Sequence, residues 1–217
     1  MRDAVAPSLA AWQPVLIAIA SAASVNDNDG AHDLHHLHRV WTNAEALMAA
    51  GSGADADADP LIVMAACYLH DLVNLPKNHP ERATASRLSA ARAVAALAAA
   101  GFPAARLQAV AHAIEAHSFS AALPARTLEA RLVQDADRLD GLGAIGLARL
   151  FYIAGQMGSA LAHALDDRAY ALDHIVVKLA RLPALMQTAA GRALAGQRLA
   201  RLLAFRDEFA LEWGRAP

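Results

Sequence analysis

Apolar residues recur at spacings of three and four through most of the chain, and no segment alternates between apolar and polar residues as a strand does. This spacing places apolar side chains along one face of a helix. Hydrophobic residues make up 56% of the sequence but aromatic residues only 5%. Alanine and leucine, which are strong helix formers, therefore supply most of the apolar surface. The sequence predicts an all-α fold.

Proline and glycine mark the breaks between the predicted helices. Asp59 and Pro60 suit a helix start, because aspartate caps free N–H groups and the first turn tolerates proline. The length of 217 residues fits one domain, which we predict over 1–217. The predicted helices span residues 8–24, 33–50, 60–75, 80–100, 103–118, 126–140, 142–158, 168–182 and 184–213.

Charge and composition argue against several classes of protein. The net charge of −2 and the lack of a dense Lys/Arg cluster argue against binding to a nucleic acid duplex. No uninterrupted apolar run reaches the roughly 18 residues that a membrane-spanning helix needs. The only cysteine, Cys67, lies in an apolar run, which excludes an intramolecular disulfide and predicts a reducing, cytoplasmic location.

Three segments carry histidines beside acidic residues, and another carries three aspartates, a pattern that suggests a metal site. In the first segment, HDLHHLHRVW, helical spacing aligns His36 with Val40 and turns it inward. His35 and His38 fall on a polar stripe, where solvated side chains are the simpler interpretation. His32 lies one helical turn before His36 and is a weaker candidate.

The second segment is the adjacent pair His70-Asp71, which follows a long apolar run. A buried carboxylate is costly unless a cation or several hydrogen-bond donors compensate it. The pair therefore suggests a metal site, although His-Asp is a common dipeptide and a lone histidine in a core is usually structural.

The third segment, D-A-D-R-L-D, carries three acids on one amphipathic helix. Asp137 and Asp140 lie about 60° apart around this helix and can share one site, whereas Asp135 points to nearly the opposite side. An exposed acidic face next to Arg138 and Arg149 explains each aspartate equally well when it is taken singly.

The fourth segment, HAIEAHSFS, lacks the H-E-x-x-H and H-x-x-E-H spacings of zinc proteases. His112 and His117 lie about 140° apart around a helix, so both reach one ion only if the helix ends between them. His117, beside Ser118, is the better candidate, as a metal ligand or as a phosphate donor.

In their order and spacing, H-x-x-R-V, H-D and D-A-D-R-L-D resemble the signature of the HD-domain phosphohydrolases. The likeness runs through nearly the whole chain and looks closest to a small bacterial subgroup associated with nucleotide pyrophosphohydrolysis. It implies one helical HD-domain bundle. Its metal-site core would lie at about 30–150, and helices within 168–213 would complete the substrate pocket.

The resemblance implies that the metal is held by His36, His70, Asp71 and Asp137. We prefer Asp137 to Asp135 because other HD families retain the acid that follows the alanine. Two imidazoles and two carboxylates leave open positions on a six-coordinate ion. This set fits Mn²⁺, Fe²⁺, Co²⁺, Ni²⁺ or Mg²⁺ better than a closed structural zinc.

A bound ion would activate water for attack on phosphorus, and Asp71 is the candidate to orient that water. Several HD subfamilies place a general acid or base three residues after the HD aspartate, where this chain has Asn74. Because asparagine cannot take a proton, we expect Asp140 or His117 to assist the metal in catalysis.

Phosphate groups require cationic or hydrogen-bond donors. His174 and Lys178 lie four residues apart on one helical face, although Lys178 can also snorkel from an apolar face. Ordinary surface positions explain Lys77 and Arg82 equally well. The predicted substrate-binding residues are Lys77, Arg82, His112, His174 and Lys178.

Gly141, Gly143 and Gly146 match the dinucleotide-binding pattern G-x-G-x-x-G, with Asp166 about twenty residues later. A charged helix precedes these glycines, and no βαβ pattern is present elsewhere in the sequence. Close helix packing is therefore a better interpretation than dinucleotide binding.

Two hypotheses of different classes follow. The first is a hydrolase of phosphate ester or anhydride bonds in nucleotides, which would release pyrophosphate from nucleoside triphosphates and bind a small phosphorylated molecule. The second, suggested by Asn74, is a regulatory module that binds metal and nucleotide without turnover. An alanine-rich helical scaffold ranks last, and the sequence allows an oligomer without predicting one.

Overall fold

The computed structural model describes residues 8–24, 33–75, 79–119, 121–161 and 171–214. These residues form helices and connecting loops without a strand, which confirms the all-α prediction. The α-helices are α1 (Leu9–Ser24), α2 (Leu34–Ala50), α3 (Pro60–Leu69), α4 (Ala85–Ala99), α5 (Ala104–His117), α6 (Leu128–Asp140), α7 (Gly143–Gln156), α8 (Asp173–Val177) and α9 (Ala189–Glu212). Short 3-10 helices cover Gly53–Asp55, Arg82–Thr84 and Leu179–Leu185. None of the described helices is both long and apolar enough to cross a membrane.

Helix α3 forms the centre of the core, because every residue from Leu61 to Leu69 is buried. A helix that is apolar on all sides has no solvent face and must be surrounded by other elements. Helices α1, α2, α5 and α6 pack around it. At its start the Asp59 carboxylate accepts a hydrogen bond from the N–H of Leu61 at 3.0 Å, and Pro60 occupies the first turn, as predicted.

Helix α6 is held between α2 and α9 by polar contacts as well as by packing. The amide of Asn43 on α2 donates to the carbonyl oxygen of Ala136 on α6 at 3.0 Å. Arg198 on α9 donates to Asn43 Oδ1 and to the carbonyl oxygen of Leu139, both at 2.7 Å. These directional bonds fix the position of α6 against α2 and α9. They bring the segment that carries His36 close to the segment that carries Asp137.

Helix α3 ends at Leu69, whereas the prediction extended it over 60–75. The hydroxyl of Ser89 on α4 accepts a hydrogen bond from the N–H of Val73 at 3.0 Å and donates to its carbonyl oxygen at 3.3 Å. A side chain of another helix thus satisfies backbone groups that a continued helix would have used. The His-Asp pair consequently lies at the point where the chain leaves the core.

Helix α9 begins at Ala189, later than the predicted range 184–213. The buried carboxylate of Asp135 explains the difference, because it accepts hydrogen bonds from the N–H and the hydroxyl of Thr188, both at 2.8 Å. The Thr188 hydroxyl in turn accepts a hydrogen bond from the N–H of Gly191 at 2.9 Å. A long-range carboxylate therefore anchors the N-cap and sets the start of this helix.

Two other predicted bounds differ from the structure. The predicted helix 168–182, whose first three residues lie outside the described part, contains only the short α8 followed by the 3-10 helix Leu179–Leu185. Pro183 stands inside that segment, where it cannot donate a backbone hydrogen bond to a regular α-helix. The predicted helix 80–100 opens with the 3-10 turn Arg82–Thr84 before α4.

The glycines after α6 form a tight turn into α7. Gly143 has a φ of +71°, a left-handed conformation that favours glycine. A side chain on Gly146 would collide with the backbone of Gly141. Since a helix precedes these residues, the turn agrees with close helix packing, while Asp166 lies outside the described residues.

Candidate metal centre

The first turn of α2 positions His36. The Asp33 carboxylate caps the helix and accepts a hydrogen bond from the N–H of His36 at 2.9 Å. The imidazole is buried, and its Nδ1 lies 2.8 Å from Asp140 Oδ2. Because an ionised carboxylate only accepts hydrogen bonds, Nδ1 carries the proton and Nε2 keeps its lone pair.

The end of α3 presents His70 and Asp71. Nδ1 of His70 donates to the carbonyl oxygen of Cys67 at 2.9 Å, so in the neutral ring the lone pair is on Nε2. The His70 side chain is completely buried, whereas that of Asp71 is 15% exposed. The pair thus combines an inner imidazole with a carboxylate at the edge of the core.

The four predicted ligands lie together. His36 Nε2 and His70 Nε2 are 3.3 Å apart. Asp71 Oδ2 lies 3.8 Å from the first nitrogen and 3.3 Å from the second, and Asp137 Oδ1 lies 3.5 and 3.9 Å from them. Ligand atoms of His36, His70 and Asp71 all fall within 4.8 Å of one another.

The donor set of this cluster fits a cation. Two imidazole Nε2 atoms and two carboxylates converge, and all of them are acceptors when both rings are neutral. Such a concentration of acceptors is costly away from water unless a positive charge lies among them. Imidazole and carboxylate ligands suit divalent transition metals and Mg²⁺, so these residues fit the ion that the family resemblance implies.

The charges of the cluster shift the pKa values of its members. Burial opposes a charge on His70, but the carboxylates of Asp71 and Asp137 outweigh it and raise the pKa of His70 to about 9. Burial lowers the pKa of His36. Desolvation alone would raise the pKa of Asp137, yet the histidines lower it. In the metal-free protein the proton of the cluster therefore resides on His70.

Asp140 lies on the Nδ1 side of His36, away from the cluster. Arg39 donates from Nε to Asp140 Oδ1 at 2.8 Å and from Nη2 to Oδ2 at 3.1 Å, and Arg149 Nη1 also donates to Oδ2. Burial opposes ionisation, but the hydrogen bonds from His36 and Arg39 and the charge of Arg149 hold the pKa of Asp140 well below its usual range. A cavity lies beside the cluster, and Asp140 is not one of the described residues that line it.

The partners of Asp140 received no site role from the sequence. Arg39 belongs to the H-x-x-R-V pattern, and its position one turn after His36 is a signal that could have identified it. Arg149 entered the sequence analysis only in the alternative of an exposed acidic face, because no local spacing predicts a contact between α7 and Asp140 at the end of α6. Its contact with Asp140 depends on how α7 turns back along α6.

Helix α5 continues to His117, so it does not end between the two histidines. His117 Nδ1 donates to the carbonyl oxygen of Ile114 at 2.6 Å, and its Nε2 lies 3.7 Å from Asp71 Oδ1. Burial lowers the pKa of His117. His112 instead accepts a hydrogen bond from the N–H of Arg126 at 3.1 Å. Of these two histidines, only His117 joins the cluster.

A cavity of about 480 Å³ adjoins the cluster, and Asp71 and Asp137 form part of its wall. Three of the predicted substrate-binding residues line it, namely Arg82, His174 and Lys178. His112 is not among the described residues that line it, and Lys77 lies outside the described residues. Apolar side chains complete much of the surface: Phe119, Leu150, Ile153, Met157, Leu179 and Leu182.

Arg82 lines this cavity and forms a hydrogen bond with Asn74. Its Nη1 donates to Asn74 Oδ1 at 2.8 Å and also to the carbonyl oxygen of Leu75. The asparagine that stands where several HD subfamilies carry an acid therefore binds a cation of the cavity wall. Arg149 lines the same cavity and adds a further guanidinium to it.

Residues 33–142 match the family model of the HD domain, a range that extends from the start of α2 to the turn after α6. The chain belongs to the HD-domain family. YpgQ of Bacillus subtilis, described as an uncharacterized protein, is 35% identical to this HD-domain chain over 174 residues, which cover 80% of each protein.

Solved structures of related proteins share this HD-domain fold. The crystal structure of B. subtilis YpgQ in complex with ADP matches with a TM-score of 0.71 and 31% identity, over 91% of this chain and 97% of YpgQ. An HD-superfamily hydrolase from Bacillus thuringiensis matches with a TM-score of 0.72 and 28% identity, over 93% of this chain and 96% of its own. The likeness therefore extends beyond the HD domain model to the C-terminal helices.

Proposed function

We propose that this HD-domain protein is a metal-dependent phosphohydrolase that acts on nucleotides and releases pyrophosphate from nucleoside triphosphates. One observation carries most of the weight: a cluster of imidazole and carboxylate acceptors adjoins a cavity that also holds cationic side chains. The cluster suits a divalent ion, and the cations suit a substrate with several phosphate charges. The presence of ADP in the YpgQ crystal structure supports a nucleotide as the ligand.

A divalent ion, such as Mn²⁺, Fe²⁺, Co²⁺, Ni²⁺ or Mg²⁺, would activate the attacking water and offset the charge that develops on the phosphoryl oxygens. His36, His70, Asp71 and Asp137 would hold it. Asp71 suits two tasks, because its Oδ2 faces His70 Nε2 at 3.3 Å and its Oδ1 faces His117 Nε2 at 3.7 Å. One oxygen can bind the ion while the other orients the water.

His117 is the candidate for proton transfer. Because its Nδ1 already donates to the carbonyl oxygen of Ile114, its neutral ring presents a lone pair at Nε2, on the side of Asp71. A lone pair at this position can accept a proton from water that Asp71 orients. His117 would thus supply the acid–base function that Asn74 cannot.

The cavity suggests how a nucleotide binds. Arg82, Arg149, His174 and Lys178 would contact the phosphate groups, since all four line the cavity that Asp71 and Asp137 border. The apolar surface, which includes Phe119 and Met157, would contact the nucleoside. A phosphate contact by Lys77 stays a prediction from the sequence.

A metal-by-nucleotide activity screen tests the proposed function. Purified protein is incubated with each of the five ions and a panel of nucleoside and deoxynucleoside triphosphates, and phosphate and pyrophosphate are measured separately. We expect pyrophosphate with at least one pair, and we expect Asp71→Asn to lower kcat by about 100-fold or more. Asp57→Asn, which changes an exposed aspartate that does not line the cavity, is the matched control.

A module that binds metal and nucleotide without turnover is the second candidate. It is favoured by Asn74, whose amide cannot transfer a proton and whose Oδ1 accepts a hydrogen bond from Arg82. Tight nucleotide binding in calorimetry, together with inactivity across the whole screen, would contradict the hydrolase and support this module.

A further inference from the structure

Asp140 is a buried carboxylate that the proposed mechanism does not use. Its side chain is 2% exposed, and both of its oxygens are engaged. Oδ1 accepts from Arg39 Nε, and Oδ2 accepts from Arg39 Nη2, from Arg149 and from the His36 ring. Three side chains from two other helices therefore converge on one acid at the end of α6.

The contact with His36 decides which nitrogen of that ring faces the ligand cluster. The carboxylate has no proton to give beside two guanidinium groups, so His36 Nδ1 must donate to it. Arg149 Nη1 also lies 2.9 Å from His36 Nδ1, but a protonated Nδ1 cannot accept, and Arg149 donates to Asp140 instead. Nε2 is left with its lone pair, 3.3 Å from His70 Nε2.

We propose that Asp140 is a positioning residue of the metal centre, which holds His36 in the orientation and tautomer that direct Nε2 at the ion. Arg39 and Arg149 hold Asp140 in turn. This role differs from the direct catalytic role expected from the sequence, because Asp140 lies on the Nδ1 side of the ring and does not line the cavity among the described residues. The inference rests on the metal centre of the proposed function.

Variants of the two arginines distinguish an effect on the metal centre from an effect on the substrate site. Arg39 is 31% exposed and is not one of the described residues that line the cavity, and its hydrogen bonds to Asp140 connect it to His36. Arg149 contacts Asp140 and also lines the cavity. We therefore expect Arg39→Gln to weaken metal binding without changing KM, and Arg149→Gln to change both.

The test measures the Kd of Mn²⁺ for the metal-free full-length protein by calorimetry, and kcat at saturating Mn²⁺. Mutation of a residue that hydrogen-bonds to a metal-ligating histidine typically lowers metal affinity by about 10- to 100-fold. We therefore expect Asp140→Asn to raise the Kd of Mn²⁺ by about this factor. We expect its kcat at saturating Mn²⁺ to fall by a smaller factor than its affinity for Mn²⁺. Asp135→Asn is the matched control, because Asp135 is a buried aspartate on the same helix that faces Thr188 rather than His36.

A wild-type Kd for Asp140→Asn combined with a large loss of kcat would overturn the inference and assign Asp140 a direct catalytic role. If circular dichroism shows that Asp140→Asn does not fold, Arg39→Gln decides: a Kd raised by about threefold or more supports the inference, and an unchanged Kd overturns it. Wild-type protein that binds Mn²⁺ but hydrolyses no nucleotide would contradict the proposed hydrolase alone. Wild-type protein that binds no Mn²⁺ would contradict both.

Discussion

His70 and His117 use the same backbone contact to orient their rings. Each donates from Nδ1 to the carbonyl oxygen three residues earlier, Cys67 for the first and Ile114 for the second. Both lie at the end of a helix, where the last carbonyl groups have no intrahelical partner. The carbonyl groups at the ends of α3 and α5 thus turn both Nε2 atoms toward Asp71.

Metal binding should release a proton from His70. The pKa of His70 in the metal-free protein is raised to about 9, whereas an ion requires the neutral imidazole. The apparent affinity for Mn²⁺ should therefore increase with pH and level off above this pKa. Calorimetry at about pH 7, in buffers of different ionisation enthalpy, should report close to one proton released per ion. Identical heats in all buffers would contradict this prediction.

Lys178→Gln should raise KM for a nucleoside triphosphate by about tenfold or more and leave the Kd of Mn²⁺ unchanged, because it removes a cation from the cavity and not a metal ligand. Steady-state kinetics at saturating Mn²⁺ measures the change. Arg181→Gln is the control, since Arg181 is an exposed cation that is not among the described residues lining the cavity. Equal values of KM in the two variants would contradict a phosphate contact by Lys178.

The sequence was sufficient to predict residues whose role depends on local spacing. His36 lies on the inner face of α2, and Asp137 and Asp140 lie near each other on α6, both as helical geometry requires. The hydrogen bonds from Arg39 and Arg149 to Asp140 could not be predicted in this way. Arg39 and Arg149 come from different helices, and only tertiary packing shows that both reach one carboxylate.

Helix α9 is connected to α6 at two places, and both contacts are polar. Asp135 binds Thr188 at the start of α9, and Arg198 binds the carbonyl oxygen of Leu139 near the end of α6. Two separated contacts restrain a helix against rotation and sliding better than one. The helix that carries Asp137 is therefore held by α9 as well as by α2.

Two glycines of α9 should respond to alanine in opposite ways. A Cβ on Gly191 would collide with the Asp135 carboxylate and lie 2.8 Å from the Thr188 hydroxyl, whereas a Cβ on Gly196 meets nothing within 4 Å. Gly191→Ala should lower the free energy of unfolding by about 1–3 kcal/mol through overpacking. Gly196→Ala should raise it by about 0.5–1 kcal/mol, because alanine is the better helix former.

Urea unfolding of the metal-free protein measures both changes. Because the two sites share one helix, Gly196→Ala controls for a general effect of alanine on α9. A change of the same sign in both variants would contradict the view that the Asp135 contact restricts position 191.

The sequence predicted which segments form helices, but long-range contacts determine where α3 ends and where α9 begins. The capped start of α3 at Asp59 and Pro60 was predicted, because the cap and the first turn are adjacent in sequence. The end of α3 depends on Ser89, and the start of α9 depends on Asp135. Neither partner is near enough in sequence for a local pattern to reveal it.

At the scale of the whole molecule, the candidate ligands connect three parts of the fold. His36 comes from the start of α2, His70-Asp71 from the end of the central helix α3, and Asp137 from α6. The sequence motifs predicted this set because their order resembles the HD family. The cavity wall could not be predicted as well, since it also draws on α7, α8 and the 3-10 helix Leu179–Leu185.

Metal binding should therefore stabilise the whole fold. Mn²⁺ at about 100 times its Kd should add about 2.7 kcal/mol to the free energy of unfolding, which corresponds to an increase of roughly 5–10 °C in Tm for a chain of this size. Thermal unfolding with Mn²⁺ and then with a chelator measures the effect. His36→Gln should abolish the increase, whereas His35→Gln, at an exposed neighbouring position, should retain it. An equal response of the two variants would contradict the ligand role of His36.

The contact between His36 and Asp140 joins residues 104 positions apart in the chain. During synthesis, α2 leaves the ribosome long before α6 exists, so no growing chain can close the metal centre until its third helical contributor has emerged. Binding of an ion at this site would therefore indicate that α2, α3 and α6 have already packed together, and it would not start their folding. Nascent or truncated chains that lack α6 would retain the histidine pair but would have no complete set of ligands with which to keep a metal.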